Sequence, residues 1–151
     1  MSEDIRADSY APAYVRTTWA GNQQINANVS FSFPISTPLE IAGNVFEYVS
    51  STQSLRIKQP GVFGFLVRVQ GSASNLGDLG VSMRSNSPIH EWDMVMQPYY
   101  SHPTFIFATG GVRYVPVPAP CDYQVRLINT GGPGIFTVFY IDLRLTFMGR
   151  R

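Results

Sequence analysis

The chain carries a single cysteine, a single lysine and almost no helix signal. Cys121 alone excludes an intramolecular disulfide, so packing and any neighbouring subunits must hold the fold. Charged residues make up only 14% of the 151 positions, 11 basic against 10 acidic, for a net charge of +1. Such a balance supplies no long-range field to gather nucleic acid, and no nucleic-acid partner is expected. Apart from Lys58 the basic residues are arginines, which suit bidentate pairing at protein contacts. No run reaches the roughly 18 apolar residues of a spanning helix, so no membrane partner is expected. The stretch Met1-Ser2-Glu3-Asp4-Ile5-Arg6 is polar and acidic, unlike a signal peptide, which implies synthesis in the cytoplasm.

What the chain does have is apolar mass and punctuation. It is 44% hydrophobic and 13% aromatic, enough for a sizeable core in one domain, and 13 Gly and 11 Pro are spread along it. Between them residues alternate with period two: Val29, Phe31, Phe33 and Ile35; Phe63, Phe65, Val67 and Val69; Leu79, Val81 and Met83; Cys121, Tyr123, Val125 and Leu127. Each pattern is a strand with one buried and one wetter face. Shorter candidates are Val45–Val49, Ser54–Lys58 and Ile89–Met96, and Thr109-Gly110-Gly111 reads as a hairpin joining 104–108 to 112–117. About nine strands at this spacing predict an all-β antiparallel sandwich over residues 28–151. Pro116, Pro118 and Pro120 place their stretch outside any central ladder.

Residues 1–27 lack a sustained period and are expected to form an extended N-terminal arm, with Tyr10, Tyr14 and Trp19 as aromatic anchors on another protein. Residues 135–148 read as one long strand. Its odd face (Ile135, Phe139, Ile141, Leu143, Leu145, Phe147) is apolar, and the first half of its even face (Phe136, Val138, Tyr140) is apolar as well. A sandwich buries one face of each sheet, so Phe136, Val138 and Tyr140 are expected to form a subunit interface.

Three segments resemble a known family. Gln59-Pro60-Gly61-Val62-Phe63-Gly64-Phe65, Ala119–Leu127 and Phe139–Gly149 resemble strand motifs of the tumour necrosis factor and complement-type globular-head jelly roll. That resemblance covers about residues 28–149 and implies a jelly-roll topology and a homotrimer. A leaderless chain of this shape also resembles phage head decoration (cement) proteins, which implies a virion location on the capsid exterior and the major capsid protein as partner. The alternative is a receptor- or carbohydrate-binding tip of a phage tail protein, with Tyr99 and Tyr100 as contacts.

Catalytic chemistry finds little footing. His90, Glu91 and Asp93 lie close in sequence, with His102 beyond, but lack the two histidines one residue apart of cupin-type metal sites. Asn75–Asp78, Asn44 and Glu47 offer oxygen ligands for calcium, yet a lone loop carboxylate is more often a turn former. Cys121 falls on an apolar strand face and reads as a buried thiol. No catalytic residue, metal or cofactor is expected, and the chain reads as non-enzymatic.

Overall fold

Alternating β-branched and aromatic residues give each strand one face to bury, and ladders form where such faces meet. The computed structural model describes residues 13–86, 88–117 and 120–150, and eleven strands occur among them. They are β1 (Ala13–Ile25), β2 (Ser30–Phe33), β3 (Glu40–Ala42), β4 (Phe46–Val49), β5 (Ser54–Ile57), β6 (Gly61–Ala73), β7 (Gly77–Asn86), β8 (Ile89–Tyr99), β9 (His102–Val115), β10 (Cys121–Thr130) and β11 (Phe136–Gly149). Sheet A has the order β3-β1-β11-β6-β9, and sheet B the order β4-β5-β10-β7-β8 with β2 also paired to β10. All pairings are antiparallel. The inward faces of the two sheets share one apolar core, so the chain is the all-β sandwich that the alternation predicts, with the jelly-roll topology that the resemblance implies.

The last strand departs from its expected reading. Against β6, Val138 pairs with Gly71 and Tyr140 with Gln70, so Phe139 is an extra residue with no partner of its own. A bulge of this kind shifts the strand by one residue, and a one-residue shift sends every later side chain to the other face. Phe136 and Val138 therefore point inward before the bulge, and Ile141, Leu143 and Leu145 point inward after it; all five are buried within the chain itself. The two apolar faces read from the sequence are one face with a phase change. Phe136 and Val138 are core residues and not a subunit interface, while Tyr140 is half-buried on the outer side. Gly71 permits this arrangement: a Cβ there would sit 2.1 Å from the Thr137 carbonyl and 2.7 Å from the Phe136 ring.

Residues 13–25 depart from the expected arm too. They form a strand inside sheet A, held by β11 on one side and β3 on the other. Ala13, Val15 and Thr17 turn inward in ordinary alternation, which the polar threonines and a register shift between Ala20 and Gln23 hide in the sequence. Tyr14 and Trp19 thus belong to the sandwich, and the Trp19 ring stands edge-on to Phe33 at 4.7 Å. Tyr10 lies outside the described residues. Likewise Gly110-Gly111 is no hairpin: β9 runs straight through it along β6. The Phe65 ring lies over Gly111, where a Cβ would come within 3.0 Å of it, so an aromatic ring fills the space left by the missing side chain.

At one end of the core Tyr99, Phe105 and Phe136 pack edge to face, with ring centroids 5.1–6.4 Å apart. Buried Asn129 ties that end together: its amide donates to Ile25 O at 2.8 Å and Gly134 O at 2.9 Å, and its carbonyl accepts from the Tyr99 hydroxyl. Because Phe136 fills this core, Phe136→Ala should cost about 3–5 kcal/mol in urea unfolding. A loss below about 1 kcal/mol would return Phe136 to the surface.

Candidate functional site

The two outer faces of the sandwich differ in kind. On sheet B the outward residues are polar and tied to one another. Glu91 accepts from Arg126 Nη1 at 2.8 and 3.0 Å, from Arg84 at 3.2 Å and from Ser82 at 2.6 Å. Arg56 grips Asp122, and Lys58 lies 3.5 Å from Glu47. Burial pushes the Glu91 carboxyl up, but the hydrogen bonds from Ser82 and Arg126, the Arg126 charge and the Arg84 bond together hold it below the usual range. Around Glu91 this face satisfies itself; Ile89 and Met96, the latter lying over Gly80, are exposed apolar residues on its β8 strand.

Sheet A is different. Outward side chains of β6 pair across to β9 as Val62–Tyr114, Gly64–Val112, Leu66–Gly110, Arg68–Ala108 and Gln70–Ile106. Leu66, Ile106, Val112, Tyr114 and, from β11, Met148 remain 43–64% exposed. With Gly64 and Gly110 lacking side chains, the surface dips between Leu66, Arg144, Thr146 and Met148. An apolar strip of this kind around a depression is the ordinary mark of a protein contact. The centre of the same face is charged. Arg16 donates to both oxygens of Asp142, Nη2 at 3.0 Å and Nε at 3.3 Å, and Arg144 Nη2 lies 3.5 Å from the same carboxylate. The hydrogen bond to Asp142, and then its charge, raise the Arg16 pKa further. Arg68, the cross-strand neighbour of Asp142, stands exposed beside them.

The residues expected to carry function end up scattered. Tyr99 is fully buried, bonded to Asn129, and cannot contact a receptor; Tyr100, next to it, is 67% exposed. Tyr14 lies on the outer face of sheet A opposite Thr146. His90 turns inward and its Nδ1 meets the Tyr123 hydroxyl at 2.6 Å, while Glu91 points outward, so the two do not converge. Burial, and then the nearby Cys121, push the Tyr123 hydroxyl far above its ordinary pKa, and the thiol itself is buried. Among the described residues no group of three or more His, Cys, Asp or Glu side chains is placed to hold a metal ion. The apolar strip was missed because β9 was read as two short strands. Taken as one, its alternate residues Ile106, Ala108, Val112 and Tyr114 form an uncharged row.

Known structures share this arrangement. The Eiger tumour necrosis factor of S. frugiperda superposes with a TM-score of 0.61 at 8% identity over 93% of each chain. The shared fold is the jelly roll. The globular domain of zebrafish complement 1qA gives 0.52 at 13% identity, over 90% of this chain and 96% of that one. The PRD1 vertex protein P5 gives 0.59 at 12% identity, over 91% and 97%. No family model matches the sequence, nor does any curated protein. At these identities the shared property is the fold.

The linkage of Glu91 is testable by pH. Its folded pKa lies below the unfolded value, so the stability it adds is present above the unfolded pKa, and disappears as pH falls through the lower folded one. In urea unfolding the natural chain should therefore be more stable than Glu91→Gln at pH 7, and the two should converge in acid. A gap that persists below both pKa values would contradict the carboxylate's role.

Proposed function

We propose that the chain is a non-enzymatic structural protein of a viral particle, a homotrimer that decorates and stabilises a phage capsid from outside. The observation that carries the reading is the apolar strip Leu66, Ile106, Val112, Tyr114 and Met148 on the outer face of sheet A. Its position favours a ring over a pair. The strip lies towards the β9 edge, whereas the centre of the sheet gathers Arg16, Arg68 and Arg144 around Asp142. Stacking two such faces about a twofold axis would bring the arginines against each other. An edge-to-face contact that closes on itself buries the strip and spares the charges. The fold is that of the family whose members the sequence resemblance identifies as trimers, and one structure sharing it is by name a vertex protein.

The capsid contact then falls to what precedes the sandwich. Residues 1–12, including Tyr10, are the remaining candidate for the clamp on the major capsid protein, and three copies would act together through multivalency. Nothing in the structure favours a receptor tip built on Tyr99. Co-sedimentation with particles tests both parts. Leu66→Asp should remain folded yet lose most particle binding, because a monomer forfeits multivalency. A chain starting at Ala13 should assemble but not sediment with particles. Undiminished binding by both variants would refute the reading.

A further inference from the structure

The outer face of sheet B carries a shallow depression lined by Thr52, Ser54, Arg84, Asn86, Asp122 and Gln124, all polar. Its side chains are held in place from its margins. Arg56 fixes Asp122 with two bonds, Nε to Oδ1 at 2.7 Å and Nη2 to Oδ2 at 3.1 Å. The Gln124 amide nitrogen donates to the Thr52 and Gln53 carbonyls at 3.2 and 3.1 Å. Arg84 donates through Nε to Asn86 Oδ1 at 3.1 Å and through Nη1 to Glu91 Oε1 at 3.2 Å. Among the described residues this leaves Arg84 Nη2 and Asn86 Nδ2 as spare donors and Gln124 Oε1 and the Asp122 lone pairs as spare acceptors. Donors and acceptors that are already oriented lose little entropy when a ligand arrives.

Spacing sets the ligand's size. Arg84 and Gln124 are cross-strand partners, and Asn86 and Asp122 lie two residues along on the same face. Neighbouring strands are about 4.8 Å apart, and alternate residues about 6.8 Å. Four polar corners at that spacing match the footprint of one six-membered sugar ring with its hydroxyls.

We propose that this depression binds a pyranose unit of a neutral carbohydrate. Charge excludes a strongly anionic ligand, since Asp122 lines the site and Arg84 is already engaged with Glu91. A peptide strand has nothing to pair with, because β10 is laddered to β5 on one side and β7 on the other. A hydroxyl both donates and accepts, which is what two spare donors beside two spare acceptors require. With no aromatic platform in the lining, a single sugar binds weakly, and a polysaccharide gains through repeated sites. The inference uses sheet B and stands or falls apart from assembly through sheet A.

The test is an NMR titration of the nitrogen-labelled full chain with methyl glucopyranoside, galactopyranoside and mannopyranoside. Saturable shifts of the Asn86 and Gln124 side-chain amides are expected with at least one of them. Asn86→Ala, at an exposed position, should weaken that binding about tenfold, with its backbone spectrum reporting an intact fold. No saturable shift with any of the three, or unchanged affinity in Asn86→Ala, overturns the site. Binding of glucuronate without binding of the neutral pyranosides overturns its assignment to a neutral sugar.

Discussion

The arrangement of the molecule depends on the bulge at Phe139. β11 occupies the middle of sheet A, between β1 and β6, and its side chains reach the core along its whole length. Without an extra residue at that point, a strand with Phe136 and Val138 inward would turn Asp142 and Arg144 inward as well. A buried, unpaired carboxylate and guanidinium would cost far more than a local kink. With the bulge, the apolar side stays inward on both sides of it, and Asp142 stands outside where Arg16 and Arg144 can reach it. Gly71, stripped of a side chain beneath the Phe136 ring, is the partner strand's accommodation.

From that phase follows the division of the surface. Sheet B presents a network in which one carboxylate, Glu91, serves two arginines and a serine, so that cluster is satisfied within the chain. Sheet A presents a charged centre and, beside it towards β9, an apolar strip dipping over glycines. A β sandwich needs neither the strip nor the depression to fold, since its core is complete beneath them. In the proposed assembly another surface covers them.

Much of this was readable from residue order alone. Period-two runs such as Phe63–Val69 and Cys121–Leu127 announce their strands, and the short motifs around Pro60-Gly61 and Ala119–Leu127 carry a resemblance whose fold the superpositions share. What failed did so for identifiable reasons. Alternation assumes an unbroken period, and the bulge in β11 made one face look like two. Polar threonines in 13–25 masked a strand as an arm. Gly110-Gly111 carries the chemistry of a turn, yet Phe65 lies across it from the neighbouring strand, a contact 46 residues away in sequence from Gly111 that no local pattern contains. Tyr99 illustrates the same point: an amphipathic tyrosine beside exposed Tyr100 is a fair surface candidate until Asn129 is seen to satisfy its hydroxyl inside the core.

The central claim is that the strip on sheet A is covered by further copies of the chain. Sedimentation equilibrium of the natural protein at micromolar concentration tests it most directly. A homotrimer gives a species with three times the 16.8 kDa chain mass; a stable single-chain mass under those conditions would contradict it.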